Sequence, residues 1–128
     1  MHLTRANMTI AAMATLTLGL TAGLAVGQMK APTADKGLSA DKLEAIDTLR
    51  MRKVMLLPNG VIGLHSHKDQ PTVNYLLQGV ITFHQEGKPP VVVKAGESFA
   101  EGRATTHWAE NRTGVAAVWI AVDIPKKP

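Results

Sequence analysis

From Arg50 onward the chain is a succession of short apolar runs, each stopped by glycine, proline or asparagine after about ten residues. Residues 54–57 halt at Pro58, Asn59 and Gly60, and residues 61–67 resume. Residues 73–77 end before Gly79, residues 80–84 before Gly87, Pro89 and Pro90, and residues 91–94 before Gly96. Residues 105–111 precede a turn at Thr113 and Gly114, and residues 115–122 close the series. Runs of this length, rich in valine and isoleucine and punctuated in this way, are strands. None leaves room for the crossover helix that a parallel sheet requires. The rhythm predicts an all-β sandwich or barrel of about seven strands, with 97–104 irregular.

The first 27 residues do not share that texture. No charge occurs between Arg5 and Lys30, and the run of Ala, Leu, Met, Thr and Gly ends in small residues at Ala25 and Gly27. A cation, an apolar stretch and a small-x-small site make residues 1–27 a signal peptide, with an uncleaved membrane anchor as the alternative. The expected location is therefore outside the cytoplasm, periplasmic or secreted. Without Arg5 the remainder carries a net charge of +3 instead of +4. Residues 28–49 read as a linker and short helix: Asp41 and Glu44 resemble a capping box, and Leu43, Ile46 and Leu49 form a narrow apolar stripe. Residues 50–125 are then the folded barrel.

A chain with no cysteine has no disulfide, thiolate ligand or thiol nucleophile. Its cations are scattered, with Arg50, Arg52 and Lys53 the one cluster, and its five aromatic residues offer no stacking platform. Nucleic acid is therefore not an expected partner. A domain this small gains from self-association, so a homodimer is expected, with Trp108 as a contact candidate.

The chemistry concentrates in histidine. His65 and His67 stand two apart in a strand-like run and so face one side. Two neutral imidazoles on one face can hold a metal ion, and His107 offers a third donor from another run. Around them the spacing becomes specific. His65-x-His67 is followed by four residues, Thr72, six residues and Gly79. Gly96 is followed by five residues, Gly102-x-Ala104, two residues, His107, three residues and Asn111. This resembles the two motifs of the cupin superfamily, with Gly60 one residue closer to His65 than usual. Thr72 stands where many members have a ligating glutamate, and Gly102 and Ala104 replace a proline and a glycine.

The resemblance implies a double-stranded β-helix (jelly-roll) barrel with a short N-terminal lead-in, and one divalent metal held by His65, His67 and His107. Iron is the expected ion, with zinc, manganese or nickel as alternatives. Three imidazoles without a carboxylate leave a divalent ion its full charge, which favours a small anionic ligand. Three-histidine cupins that cleave diketones or oxidise thiols with iron suggest a dioxygenase-like enzyme. A non-catalytic ligand-binding or metal-binding module is the alternative, as is an isomerase or lyase, for which Glu101 is the nearby acid or base. Strand parity turns Thr72 and Asn74 inward, and Gln70 precedes them in a loop; these three are candidates to surround the metal. Arg50 and Arg52 read as a solvated edge or a clamp for a carboxylate, Met51 and Met55 as core or pocket lining, Tyr75 as packing and Trp119 as core. His84 is left outside the site.

Overall fold

The computed structural model describes residues 30–127, so the expected leader at 1–27 lies outside the described residues. Eight strands follow one another: β1 (Lys36–Ile46), β2 (Leu49–Ser66), β3 (Thr72–Gln78), β4 (Val80–His84), β5 (Val91–Lys94), β6 (Ser98–Glu101), β7 (Thr106–Glu110) and β8 (Ala117–Asp123). All pairings are antiparallel, in the order β5-β4-β7-β2-β8-β3-β6 with β1 added to β2. The described residues contain no helix.

The sheet rolls into a barrel because β2 belongs to both halves. Its first part, Arg50 to Leu56, pairs with β8, and its second part, Val61 to Ser66, pairs with β7. The expected turn at Pro58, Asn59 and Gly60 is instead a corner inside this one strand. Asn59 adopts a left-handed φ of 59°. The corner is tied to β7, since Asn59 N–H donates to Asn111 O at 2.9 Å and Asn111 N–H donates to Gly60 O at 3.0 Å. A Cβ at Gly60 would stand 2.7 Å from Leu57 O and 2.9 Å from Lys36 O, so no larger residue fits the bend. The turn residues thus change the direction of a strand without ending it.

The expected helix over residues 28–49 is also corrected. Residues 36–46 form β1, in register with β2 from Ile46 opposite Leu49 to Lys36 opposite Val61. The capping-box residues lie on this strand, and Leu43, Ile46 and Leu49 are exposed. A stripe with nothing to pack against does not stabilise a helix, whereas the ladder to β2 satisfies the backbone. Leu38 and Ala40, at strand spacing, turn inward and line the interior cavity. The presumed linker also docks: Leu64 N–H donates to Pro32 O and Gly63 N–H to the Asp35 carboxylate, both at 2.7 Å.

Inward residues divide the barrel into an apolar end and a polar end. Val54, Leu56, Leu76, Ile81, Val93, Ala109, Ala117, Trp119 and Ala121 form the buried core, with Phe83 and Phe99 against it. Trp119 is core, as its position suggests. The opposite faces of β2 and β3 are wetter: Met51, Val73 and Tyr75 are exposed and Met55 is half-buried. Neither methionine lines the cavity.

Asn111 closes the apolar end. It is 1% exposed, and its Nδ2 donates to Leu56 O (3.1 Å) and Val115 O (2.7 Å). Its Oδ1 accepts from Thr113 N–H and from the Thr113 hydroxyl. Asn111→Ala removes these bonds at the junction of β2, β7 and the turn into β8. Urea denaturation should show a loss of about 2 kcal/mol.

Candidate metal centre

β2 supplies His65, His67 follows directly on its last residue, and β7 supplies His107. Ile62 pairs with Ala109 and His65 with His107, so three steps on β2 match two on β7. This bulge shifts the alternation and lets both Ile62 and His65 face the cavity. His67, two residues further, shares that face, anchored by its N–H to Thr105 O at 2.9 Å.

The three Nε2 atoms converge. They lie 2.9 Å (His65–His67), 3.0 Å (His67–His107) and 3.2 Å (His65–His107) apart. On the far side of each of the first two rings, Nδ1 faces a backbone carbonyl: Gly63 O for His65 and Gln70 O for His67, both at 2.8 Å. A carbonyl only accepts, so each Nδ1 carries the proton and donates it. In a neutral ring that leaves Nε2 as a bare lone pair directed at its neighbours. Burial lowers the pKa of His65 most; the Gly63 bond opposes this, and the adjacent His107 and His67 lower it further. The ring is therefore neutral at neutral pH.

The two lone pairs of His65 and His67 meet His107 Nε2, an arrangement that a cation among them would stabilise, and the dimensions of the triangle fit one. Donors about 2.1 Å from an ion are about 3.0 Å apart at right angles and about 3.4 Å apart at tetrahedral angles. The observed separations match the right-angled arrangement, one face of an octahedron.

Glu101, at the end of β6, brings a carboxylate against the histidines that the motif comparison left out. Its Oε1 lies 3.1 Å from His107 Nε2 and its Oε2 lies 3.5 Å from His67 Nε2. Asn74 Nδ2 donates to Oε2 at 3.0 Å. Burial pushes this carboxyl up, but the His107 bond, electrostatic attraction to His67 and His107, and the Asn74 bond together hold it below the usual carboxylate range.

The other candidates separate. Asn74 is buried and lines the cavity, its amide spent on Glu101. Thr72 is buried beneath His67; its hydroxyl donates to Gln70 O at 3.0 Å and lies 3.3 Å from His67 Nδ1. Gln70 supports His67 through its backbone, while its side chain turns away and donates to Asp123 Oδ2 at 2.9 Å. Arg50 and Arg52 are not a solvated edge. Arg50 grips Asp123 with two bonds (2.9 and 3.0 Å), and Arg52 reaches Asp123 Oδ2 at 2.5 Å. Asp123 itself is 1% exposed. The burial that raises its pKa is outweighed by the two guanidiniums, and its carboxyl sits below the ordinary range.

His65, His67, Glu101, Asn74 and Arg52 line one cavity of about 110 Å³, with Trp119 and Ala121 also in its wall. That is room for about four waters, so only a small ligand enters. Ala121 lies between Arg52 on β2 and Asn74 on β3 in the ladder, and its small side chain leaves the space open. Arg52 Nε is buried with no hydrogen-bond partner among the described residues.

His84 stays outside this group, stacked on Trp108 at 3.9 Å and 3.3 Å from the Glu110 carboxylate. Trp108 is buried, so it does not offer the contact surface expected of it. Sequence reasoning missed Asp123 and the bond Glu101 makes to the site. Asp123 had a signal, as the charged end of the inward row Ala117, Trp119, Ala121; Glu101 had none beyond its proximity to His107.

A small antiparallel barrel with a histidine cluster at its polar end defines a jelly-roll metal-site protein. A family model described as a cupin domain matches residues 52–123, and the chain belongs to the cupin family. It is 32% identical over 72 residues to an oxalate-binding protein of Thermotoga maritima. That match covers 56% of this chain and 59% of the relative's length. Among solved structures, a predicted oxalate decarboxylase of the same organism superposes with a TM-score of 0.61 at 23% identity, covering 74% of this chain and 93% of that one. The Cnp3 cupin domain of Schizosaccharomyces pombe gives 0.64 at 14% identity, covering 73% and 65%. These superpositions establish the double-stranded β-helix fold.

Proposed function

We propose that this protein is a metal-dependent cupin that binds a small chelating dianion of the dicarboxylate class. The observation that carries this reading is the convergence of three Nε2 atoms, with His65 and His67 in the wall of a cavity that Arg52 also lines. One end of such a ligand would meet the ion and the other the guanidinium. His65, His67 and His107 would hold the ion, with Asn74, Thr72 and the Gln70 carbonyl fixing the groups around it. The right-angled donor spacing favours an octahedral ion such as iron, manganese or nickel over tetrahedral zinc. The oxalate-binding relative supports the ligand class.

Calorimetry tests the reading. Mn(II) should bind one ion per chain, and oxalate should bind the Mn(II)-loaded protein but not the metal-free protein. Oxalate affinity independent of metal would sink it. Oxygen uptake by iron-loaded protein, assayed with oxalate, small diketones and thiols, separates a dioxygenase-like enzyme from a binding module. The charge-free stretch led by Arg5 supports an exported protein. N-terminal sequencing should then find Gln28 first.

A further inference from the structure

We infer that Glu101 is the fourth protein ligand of this metal centre, standing in from β6 for the glutamate that the cupin motif places on β3. This rests on the metal-centre reading above and adds a donor that the histidine cluster does not contain.

Thr72 and Glu101 are directly paired between β3 and β6. Opposed residues of an antiparallel pair project to the same face with Cβ atoms about 4.5–5.5 Å apart. A carboxylate can therefore reach one point from either strand. At position 72 the side chain is a hydroxyl already donated to Gln70 O. At position 101 it is a buried carboxylate whose two oxygens stand 3.1 and 3.5 Å from the Nε2 atoms of His107 and His67.

Glu101 touches those rings at Nε2, the nitrogen that each directs toward the others. Asn74 fixes one of its oxygens, as a neighbouring amide fixes a ligating carboxylate. No lysine or arginine among the described residues lies within ion-pair distance of it. Its charge is thus left to whatever the histidines hold.

Two consequences follow for the centre. One carboxylate and three imidazoles reduce the charge of a bound divalent ion from +2 to +1. Four protein donors also leave two positions on an octahedral ion, the number that a bidentate anion occupies.

The test uses purified protein titrated with Mn(II) by calorimetry and with Co(II) by visible absorption. Glu101→Gln keeps the size of the side chain and is expected to weaken Mn(II) binding by more than about 100-fold, beyond the loss of a group that only supports a ligand, and to change the Co(II) spectrum. The exchange variant Thr72→Glu/Glu101→Thr should regain most of that affinity, with circular dichroism confirming that each variant is folded. A Glu101→Gln protein with wild-type affinity and an unchanged spectrum overturns the assignment. So does a folded exchange variant that stays as weak as the single variant. In either case the three-histidine reading stands if His107→Ala still loses the metal. Failure of the wild type to bind Mn(II) and Co(II) would instead remove the metal reading itself.

Discussion

Replacing His107 with alanine is expected to weaken Mn(II) binding by more than about 100-fold, beyond the loss of about 10–100-fold that follows removal of an outer supporting group. His107 comes from β7, whereas His65 and His67 lie at and just past the end of β2, and it closes the triangle at 3.0 and 3.2 Å from His67 and His65. Without it His65 and His67 remain, and these cannot enclose an ion with Glu101, whose closest histidine contact is to His107. His107→Gln separates the loss of the imidazole from the loss of volume beside Phe83, whose ring lies 5.3 Å away. Both variants should lose metal, and alanine should lose more stability. Retention of Mn(II) by either one would show that the cluster is not the site.

The second large effect is on stability. Asp123 is the common acceptor for Arg50, Arg52 and Gln70, and it lies wholly inside. Asp123→Asn leaves two guanidiniums facing a neutral amide. Removal of one partner from a fully buried pair costs about 3–5 kcal/mol. Each arginine side chain here is about a quarter exposed, so we expect about 2–3 kcal/mol. The sign with pH is defined. The folded-state pKa of Asp123 is below its ordinary value of 3.8, so its stabilising effect is complete above that pH. It is lost as the pH falls through the lower folded-state value. Denaturation curves for wild type and Asp123→Asn should differ most near neutrality and converge on acidification below pH 3.8. A gap that stays constant to pH 2 would assign the effect to packing instead of charge.

These residues show how far the sequence could be read. The histidine cluster was legible because its information is local: a two-residue period places His65 and His67 on one face, and motif spacing adds His107. Strands β3, β4, β5 and β7 were legible from their apolar runs. Glu101 was not, because it acts across a ladder. Nothing in the run Ser98–Glu101 announces that this short strand lies opposite Thr72. β1 was hidden by a capping-box resemblance, since local helix signals compete poorly with a long neighbouring strand that supplies hydrogen-bond partners. Pro58, Asn59 and Gly60 were rightly read as a change of direction, but a strand corner and a hairpin use the same residues.

The corner in β2 also measures length. One continuous strand carries Arg52 before the bend and His65 after it, with His67 just past its end and its course between them clamped by Asn59 and Gly60 to Asn111. The span from guanidinium to imidazoles is therefore written into backbone, and Asp123 restrains the guanidinium at its end. A cavity built in this way behaves as a fixed gauge. For the ligand class proposed above, it would discriminate among dianions by the separation of their charged ends.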